Sequence, residues 1–123
     1  MDEQFDRAPR EAWIEDFDKL DIRAGVIVGC EPFPDARKPA YKLRIDFGPL
    51  GVKQSSAQLT AFYGPEELVG RQVVAVVNFP PRRIAGFSSE VLVLGLPSDG
   101  VARQGAVILL QPERRVEPGA RVF

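Results

Sequence analysis

The stretch Tyr41-Lys42-Leu43-Arg44-Ile45-Asp46-Phe47 alternates apolar and charged side chains without a break. Side chains of a strand point to opposite faces in turn, so the four apolar residues share one face and the three charged residues share the other. The pattern predicts a strand with one face on a core and one in water. The turn residues 48–51 and the polar stretch 52–59 that follow predict a hairpin.

Further strand patterns lie on both sides of this hairpin. Residues 20–28 alternate in polarity, and the three prolines within 30–40 predict a loop. Beyond the hairpin, we expect a single helical turn at 63–68, a loop at 78–86, and strands at 72–77, 91–94 and 107–110. Residues 117–122 predict a turn that runs into a final strand. About six short strands with one helical turn among them predict an all-β fold, a closed or nearly closed Greek-key barrel.

The N-terminal residues differ from the rest in charge and periodicity. Trp13, Ile14, Phe17 and Leu20 fit one face of a short amphipathic helix, which we expect to dock against another surface. Residues 1–21 carry eight acidic and three basic side chains, whereas residues 22–123 carry nine acidic and thirteen basic ones. We therefore expect an acidic arm at 1–16 and a basic barrel at 17–123, a charge asymmetry that suggests an electrostatic partner.

Composition excludes several classes of enzyme. The chain has no histidine and one cysteine, Cys30, which removes triad hydrolases, most zinc enzymes and an intrachain disulfide. Adjacent Glu66 and Glu67 face different directions on a helical turn, and no glycine-rich phosphate loop is present. We expect a non-catalytic protein without cofactor or metal. No apolar run near the N-terminus suits a signal peptide or a membrane span, so a cytoplasmic location without membrane insertion is expected.

Four blocks of sequence, in order, resemble the tRNA-binding domain family: residues 21–27, 42–48, 66–70 and 76–92. The resemblance covers roughly residues 17–123 and implies a five-stranded Greek-key OB barrel, here with a short N-terminal helix and extra C-terminal strands. It also implies a symmetric homodimer that binds tRNA or structured RNA. The block 78–95 is similar to a branch of small export-related chaperones in this family, which implies binding of unfolded or precursor polypeptides and contact with the export machinery. Residues 91–94 and the C-terminal strand are expected to contribute to the core and the dimer interface.

Polar side chains on the hairpin are the first candidates for RNA or peptide binding. The second and third strands of OB folds commonly form the nucleic-acid face. The candidates there are Lys42, Arg44, Lys53, Ser55, Ser56 and Gln58. The alternative is an ordinary solvated strand next to an edge strand kept polar against aggregation.

A second set of candidates lies in and after the proline-rich loop. Arg82 and Arg83 follow Pro80-Pro81, which would hold two guanidinium groups for phosphate or carboxylate contact. Asn78, Ser89 and Glu90 also belong to the family block. Polar groups beside very apolar strands are more often hydrogen-bonded structural pins than ligand contacts, because unpaired burial costs about 1–3 kcal/mol.

Aromatic and branched residues outside the strands suggest an apolar groove for extended polypeptide. The candidates are Phe33, Phe62, Phe79, Ile84 and Phe87. They could equally cap the barrel and fill a dimer interface. Tyr41 and Phe47 should point inward, so RNA would be recognised through its shape and backbone, with marked salt dependence, and not by base stacking.

Overall fold

The structure is a computed structural model, and it describes residues 10–98 and 106–123. Nine strands, two short α-helices and one 3-10 helix lie in these ranges. In chain order they are α1 (Ile14–Asp18), β1 (Ile22–Pro32), β2 (Tyr41–Asp46), the 3-10 helix Gly48–Leu50, β3 (Val52–Ala57), α2 (Pro65–Leu68), β4 (Gln72–Val76), β5 (Arg82–Ile84), β6 (Phe87–Ser89), β7 (Leu92–Val93), β8 (Gly95–Pro97) and β9 (Val107–Leu109).

Strand β2 has the two faces that its alternation predicts. Its apolar side chains are buried, and Phe47 after it is fully buried as well. Its charged side chains lie on the outer face. β2 pairs antiparallel with β3 in a register that joins Leu43 to Ser55, so the predicted hairpin is confirmed.

Five strands form one antiparallel sheet in the order β3-β2-β1-β4-β7. The long strand β1 pairs with β4 through its first half and with β2 through its second, with a bulge between Ile27 and Gly29. Gly25 lets the main chain of β1 pack directly against the core residues Ile45 and Phe47. A Cβ at position 25 would lie 2.6 Å from Ile45 Cγ2 and 2.8 Å from the Phe47 ring. The sheet curls into the nearly closed five-stranded OB barrel that we predicted.

The edge strands β3 and β7 meet at a seam that side chains help to close. The Gln54 N–H donates to Glu90 Oε1, and the Glu90 N–H donates to the Gln54 C=O. The Ser55 hydroxyl donates to the Val91 C=O at 2.9 Å. We call these contacts, with the bond from the β3 main chain to Ser89 Oγ, the seam.

The predicted loop at 78–86 is wrong in part, because β5 lies within it and pairs with β6. Ala85 and Gly86, between the paired residues Ile84 and Phe87, both have positive φ. Two positive φ values are typical of the two-residue turns that match the twist of a hairpin. The prolines at 80 and 81 suggested a longer irregular segment than the chain forms.

The chain ends also differ from the prediction. Helix α1 forms as expected, but Trp13 and Ile14 are each 67% exposed and do not dock on this chain. Residues 1–9 of the expected acidic arm lie outside the described residues. The final strand expected after the turn in 117–122 is reduced to an isolated bridge between Arg121 and Arg23, because β2 occupies this edge of β1 from Val26 onward. A third hairpin, β8–β9, precedes it.

Candidate functional site

The outer face of β2 and β3 presents polar side chains in two cross-strand rows. One row places Arg44 between Gly29 and Gln54, and the next places Lys42 beside Ser56. Arg44 is exposed, and its guanidinium lies over Gly29, where an added Cβ would be 2.7 Å from Arg44 Nε. A larger residue at position 29 would displace this guanidinium. We call Lys42, Arg44, Gln54 and Ser56 the outer face.

Two aromatic rings hold the ammonium group of Lys42. Lys42 Nζ lies 4.8 Å from the ring centroid of Phe33 and 5.3 Å from that of Phe87. The two rings pack edge to face with centroids 5.3 Å apart. A cation over aromatic faces is attracted by their negative charge density, so the ammonium is positioned and still half-exposed. Phe33 is itself only 4% exposed and serves this contact.

Two of the predicted β3 residues lie on the inward side of the strand. The register places Lys53 opposite Ile45 and Ser55 opposite Leu43, whose side chains face the core. Ser55 has 0% exposure, and its hydroxyl is used in the seam. The prediction that Ser55 contacts a ligand on the outer face is therefore wrong. Side chains alternate along β3, and that of Ser55 points into the barrel.

The predicted polar residues around β4, β6 and β7 hold main-chain groups. Asn78 Oδ1 accepts from the Asp21 N–H, and Asn78 Nδ2 donates to the Lys19 C=O, both at 2.9 Å. Ser89 and Glu90 accept from main-chain N–H groups of β3 in the seam. These are the contacts expected of structural pins, and a ligand contact by Asn78, Ser89 or Glu90 stays a prediction.

A groove of about 760 Å³ opens where the seam ends. The seam joins residues 54–56 to residues 89–91, and the next residues of both strands diverge to become walls of the groove. Its apolar lining comes from Ala36, Ala40, Ala57, Leu59, Ile84, Ala85, Leu92, Val93, Leu94, Val107 and Leu109. Strands β3, β7 and β9 and the β5–β6 hairpin therefore all contribute to one apolar concavity.

Basic side chains surround this groove. Arg37 and Lys38 from the loop before β2 and Arg82 and Arg83 from β5 all line it and are exposed. Ser56 and Gln58 also line it, and no acidic residue in the described part of the chain does. Such a site can bury apolar side chains and attract negative charge in the same ligand.

The groove gathers only some of the residues that the sequence indicated. Ser56, Gln58, Arg82, Arg83 and Ile84 line it together. Phe33 and Phe87 contact Lys42 instead, and the exposed Phe62 and Phe79 do not line the groove. Most of its apolar lining was missed, because Leu59, Leu92, Val93 and Leu109 have the pattern of ordinary core strands. The pattern of polar and apolar residues along the chain does not predict at which residues the two edge strands separate.

Cys30, the single cysteine of the chain, is poorly suited to act as a nucleophile. Burial, with the negative charges of Glu31 and Glu66, raises the pKa of the Cys30 thiol to about 11, so it stays protonated near neutral pH. No group of His, Cys, Asp and Glu suited to a metal ion occurs within residues 10–98 and 106–123. A second cavity of about 450 Å³ carries mixed charge, with Arg71 and Arg115 beside Glu67 and Glu113. Over the same ranges, no helix is long and apolar enough to cross a membrane.

Solved structures of two chaperones resemble this chain over their whole length. The chaperone CsaA from Bacillus anthracis str. Ames is 54% identical with a TM-score of 0.84, over 93% of this chain and 100% of that one. The CsaA chaperone protein from Picrophilus torridus is 46% identical with a TM-score of 0.84, over 92% of this chain and 100% of that one. Both likenesses confirm the OB-type barrel.

Larger enzymes carry the same domain. Methionine–tRNA ligase of Porphyromonas gingivalis is 40% identical over 108 residues, and that of Archaeoglobus fulgidus is 40% identical over 112 residues. These matches cover 88% and 91% of this chain but span only 15% and 16% of the two ligases. The family model described as "Putative tRNA binding domain" matches residues 22–121. Since that match includes the whole barrel, this chain belongs to the tRNA-binding domain family.

Proposed function

We propose that this protein is a CsaA-like molecular chaperone that binds unfolded or precursor polypeptides non-covalently in the groove at the barrel seam. The observation that carries the proposal is the combination of a groove of about 760 Å³, an apolar floor and a basic rim. Concave, mainly apolar sites of roughly 300–1,000 Å³ with a few polar groups are typical ligand sites. The likeness to two CsaA chaperones over their full length supports the same function.

The groove favours an unfolded chain over a folded protein. Leu109 lines the groove and is only 7% exposed, so a flat protein surface would not reach it. An extended segment can insert apolar side chains and leave its polar groups at the rim. The four basic side chains would favour segments that carry acidic residues and disfavour strongly basic ones.

The second candidate function is binding of tRNA or structured RNA on the outer face. Membership of the tRNA-binding domain family supports it, and so do Arg44 and the positioned ammonium of Lys42. The arginines of β5 lie near the same edge of β3, so they could contact phosphates of a longer RNA. Recognition would depend on shape and backbone, as expected for structured RNA.

We further propose that the protein works as a homodimer. The supporting observation is a set of exposed apolar side chains on α1, on the β8–β9 hairpin and at the C-terminus: Trp13, Ile14, Leu96, Ile108 and Phe123. Leu96 and Ile108 are cross-strand partners, so they form one apolar pair. Exposed apolar side chains beyond single scattered residues are typical of an interface, and a two-fold dimer would double each binding surface. Equilibrium sedimentation at micromolar concentration should show a dimer, and monomer alone would contradict this.

The proposal also places the protein in the cytoplasm, where it would meet precursors before export and could contact the export machinery. It performs no catalysis in this function. One titration separates the two candidates: a denatured precursor and bulk tRNA are each titrated across a salt series. Tight precursor binding that tolerates salt supports the chaperone. Tight tRNA binding that weakens steeply with salt, with no precursor binding, supports the RNA function, because the salt dependence reports counterion release.

A further inference from the structure

The main chain beside the groove has a free strand edge. The Leu94 N–H donates to the Val74 C=O at 2.9 Å, and the Leu94 C=O accepts from the Leu110 N–H at 3.2 Å. Both polar groups of Leu94 thus face its paired neighbours. Main-chain groups of consecutive strand residues face opposite edges, so the N–H and C=O groups of Val93 and Gly95 face the other side.

That other side is where β3 would lie if the barrel were fully closed. The seam contacts end at Ser56 on β3 and at Val91 on the opposite strand. Val93 and Gly95 lie two and four residues after Val91 along the chain, Val93 lines the groove, and Gly95 is exposed. The bonds of Leu94 make Ala75–Val93 and Gly95–Leu109 non-hydrogen-bonded pairs of their ladders. Outside the ladders, no main-chain bond to Val93 or Gly95 occurs among residues 10–98 and 106–123.

We propose that the groove recognises its polypeptide by adding it as a strand along the edge at Val93 and Gly95. This rests on the proposed polypeptide-binding function and names the class of segment that the groove takes. Unpaired strand edges recruit further strands, and hydrogen bonds to the main chain give affinity that tolerates different sequences. Pro97 has no N–H and ends the edge.

The surrounding side chains define which segments fit. Every second side chain of an added strand would lie on the core side of the edge, with Val93 and Leu109, and the others would lie on the side of the exposed Leu92. Arg82 and Arg83 stand at the rim of the same groove and would attract acidic residues near the ends of the segment. The preferred segment is therefore extended, free of proline, alternately apolar and flanked by acidic residues.

Alternate N-methylation of a peptide tests the pairing. The probe is a heptapeptide of alternating valine and threonine with an aspartate at each end, prepared unmodified and with N-methyl groups on either of the two alternating sets of residues. One methylated set should bind about tenfold or more weakly, since its N–H groups face the edge, and the other should bind like the unmodified peptide. Equal binding of all three peptides would overturn the proposal.

Amide hydrogen exchange of the full-length protein gives a second readout without any substitution. On addition of the unmodified peptide, the amides of Val93 and Gly95 should become protected, whereas the Leu94 amide is already bonded and serves as the internal control. Unchanged exchange at Val93 and Gly95 in a saturated complex would overturn the proposal. If a denatured precursor binds and the heptapeptide does not, strand addition fails alone. If neither binds and only tRNA does, the proposed chaperone function fails with it.

Discussion

Gln54 and Glu90 hold each other in both directions across the barrel seam. The Gln54 N–H donates to Glu90 Oε1 at 2.9 Å, and the Glu90 N–H donates to the Gln54 C=O at 2.9 Å. A side chain here takes the place of a main-chain partner, so β3 and β7 join without a continuous ladder. The same strands separate a few residues later, and the groove occupies the gap.

Glu90→Ala should lower the free energy of unfolding by about 1–2 kcal/mol, because it leaves the half-buried Gln54 N–H without its acceptor. Urea denaturation followed by circular dichroism measures the change. Glu90→Gln keeps an amide oxygen at the same position and should lose clearly less. Equal loss in both variants would show that the Oε1 contact does not stabilise the seam.

Arg83→Glu should weaken binding of an acidic denatured polypeptide several-fold, because it places a negative charge at the rim of the groove. Fluorescence anisotropy with a labelled client measures the dissociation constant. Arg114→Glu makes the same charge change at a side chain that is 91% exposed and does not line the groove. A matching loss in both variants would mean that net charge, and not the rim, governs affinity.

Arg44→Gln should reduce the slope of log K against log salt for tRNA binding by about 1, as expected for loss of one phosphate contact. The Arg44 guanidinium is exposed on the outer face, where it can contact a phosphate. Polypeptide binding in the groove should not change, since Arg44 does not line it. An unchanged tRNA slope would remove Arg44 from the RNA surface.

Asp21→Asn should remove part of the acid dependence of stability. The Arg23 side chain donates to Asp21 at 2.6 Å and, with Arg121 nearby, holds the pKa of this carboxyl below its ordinary value of 3.8. Because the folded-state pKa is the lower one, ionised Asp21 stabilises the fold fully above about pH 4 and stops doing so as the pH falls through the folded-state value.

Thermal denaturation of wild type and Asp21→Asn between neutral and acidic pH tests this. At neutral pH the variant should be less stable by about 1 kcal/mol, a typical value for a partly exposed ion pair. The difference should shrink as the pH falls below 4. A difference that stays constant with pH would show that ionisation of Asp21 is not the cause.

Strand β2 could be predicted from the sequence because it alternates cleanly. In β2 each charge has an apolar neighbour, so the pattern determines both the strand and its two faces. In β3 the stretch Lys53 to Ser56 is polar throughout, and nothing in its polarity shows that Ser55 points inward. The direction of the Ser55 side chain follows only from its pairing with the buried Leu43 across the hairpin.

The candidate site was harder to predict, because it depends on long-range geometry. The basic residues Arg82 and Arg83 stood out beside two prolines, and they do line the groove. The apolar lining of the groove did not stand out. Residues such as Leu92 and Leu109 have the sequence pattern of core residues, and only the opening of the barrel seam makes them groove residues. Phe33 looked like a groove residue, but it is buried beneath Lys42.

The most direct measurement is the affinity of a labelled denatured precursor for wild type, Leu92→Asp and Val52→Asp. Leu92 lines the groove and is 47% exposed, so a carboxylate there should repel apolar segments without disturbing the core. Val52 is exposed and lies outside the groove lining, which makes it the matched control. We predict that Leu92→Asp binds the precursor about tenfold or more weakly than wild type, while Val52→Asp binds like wild type. Wild-type affinity in Leu92→Asp would contradict polypeptide binding in this groove.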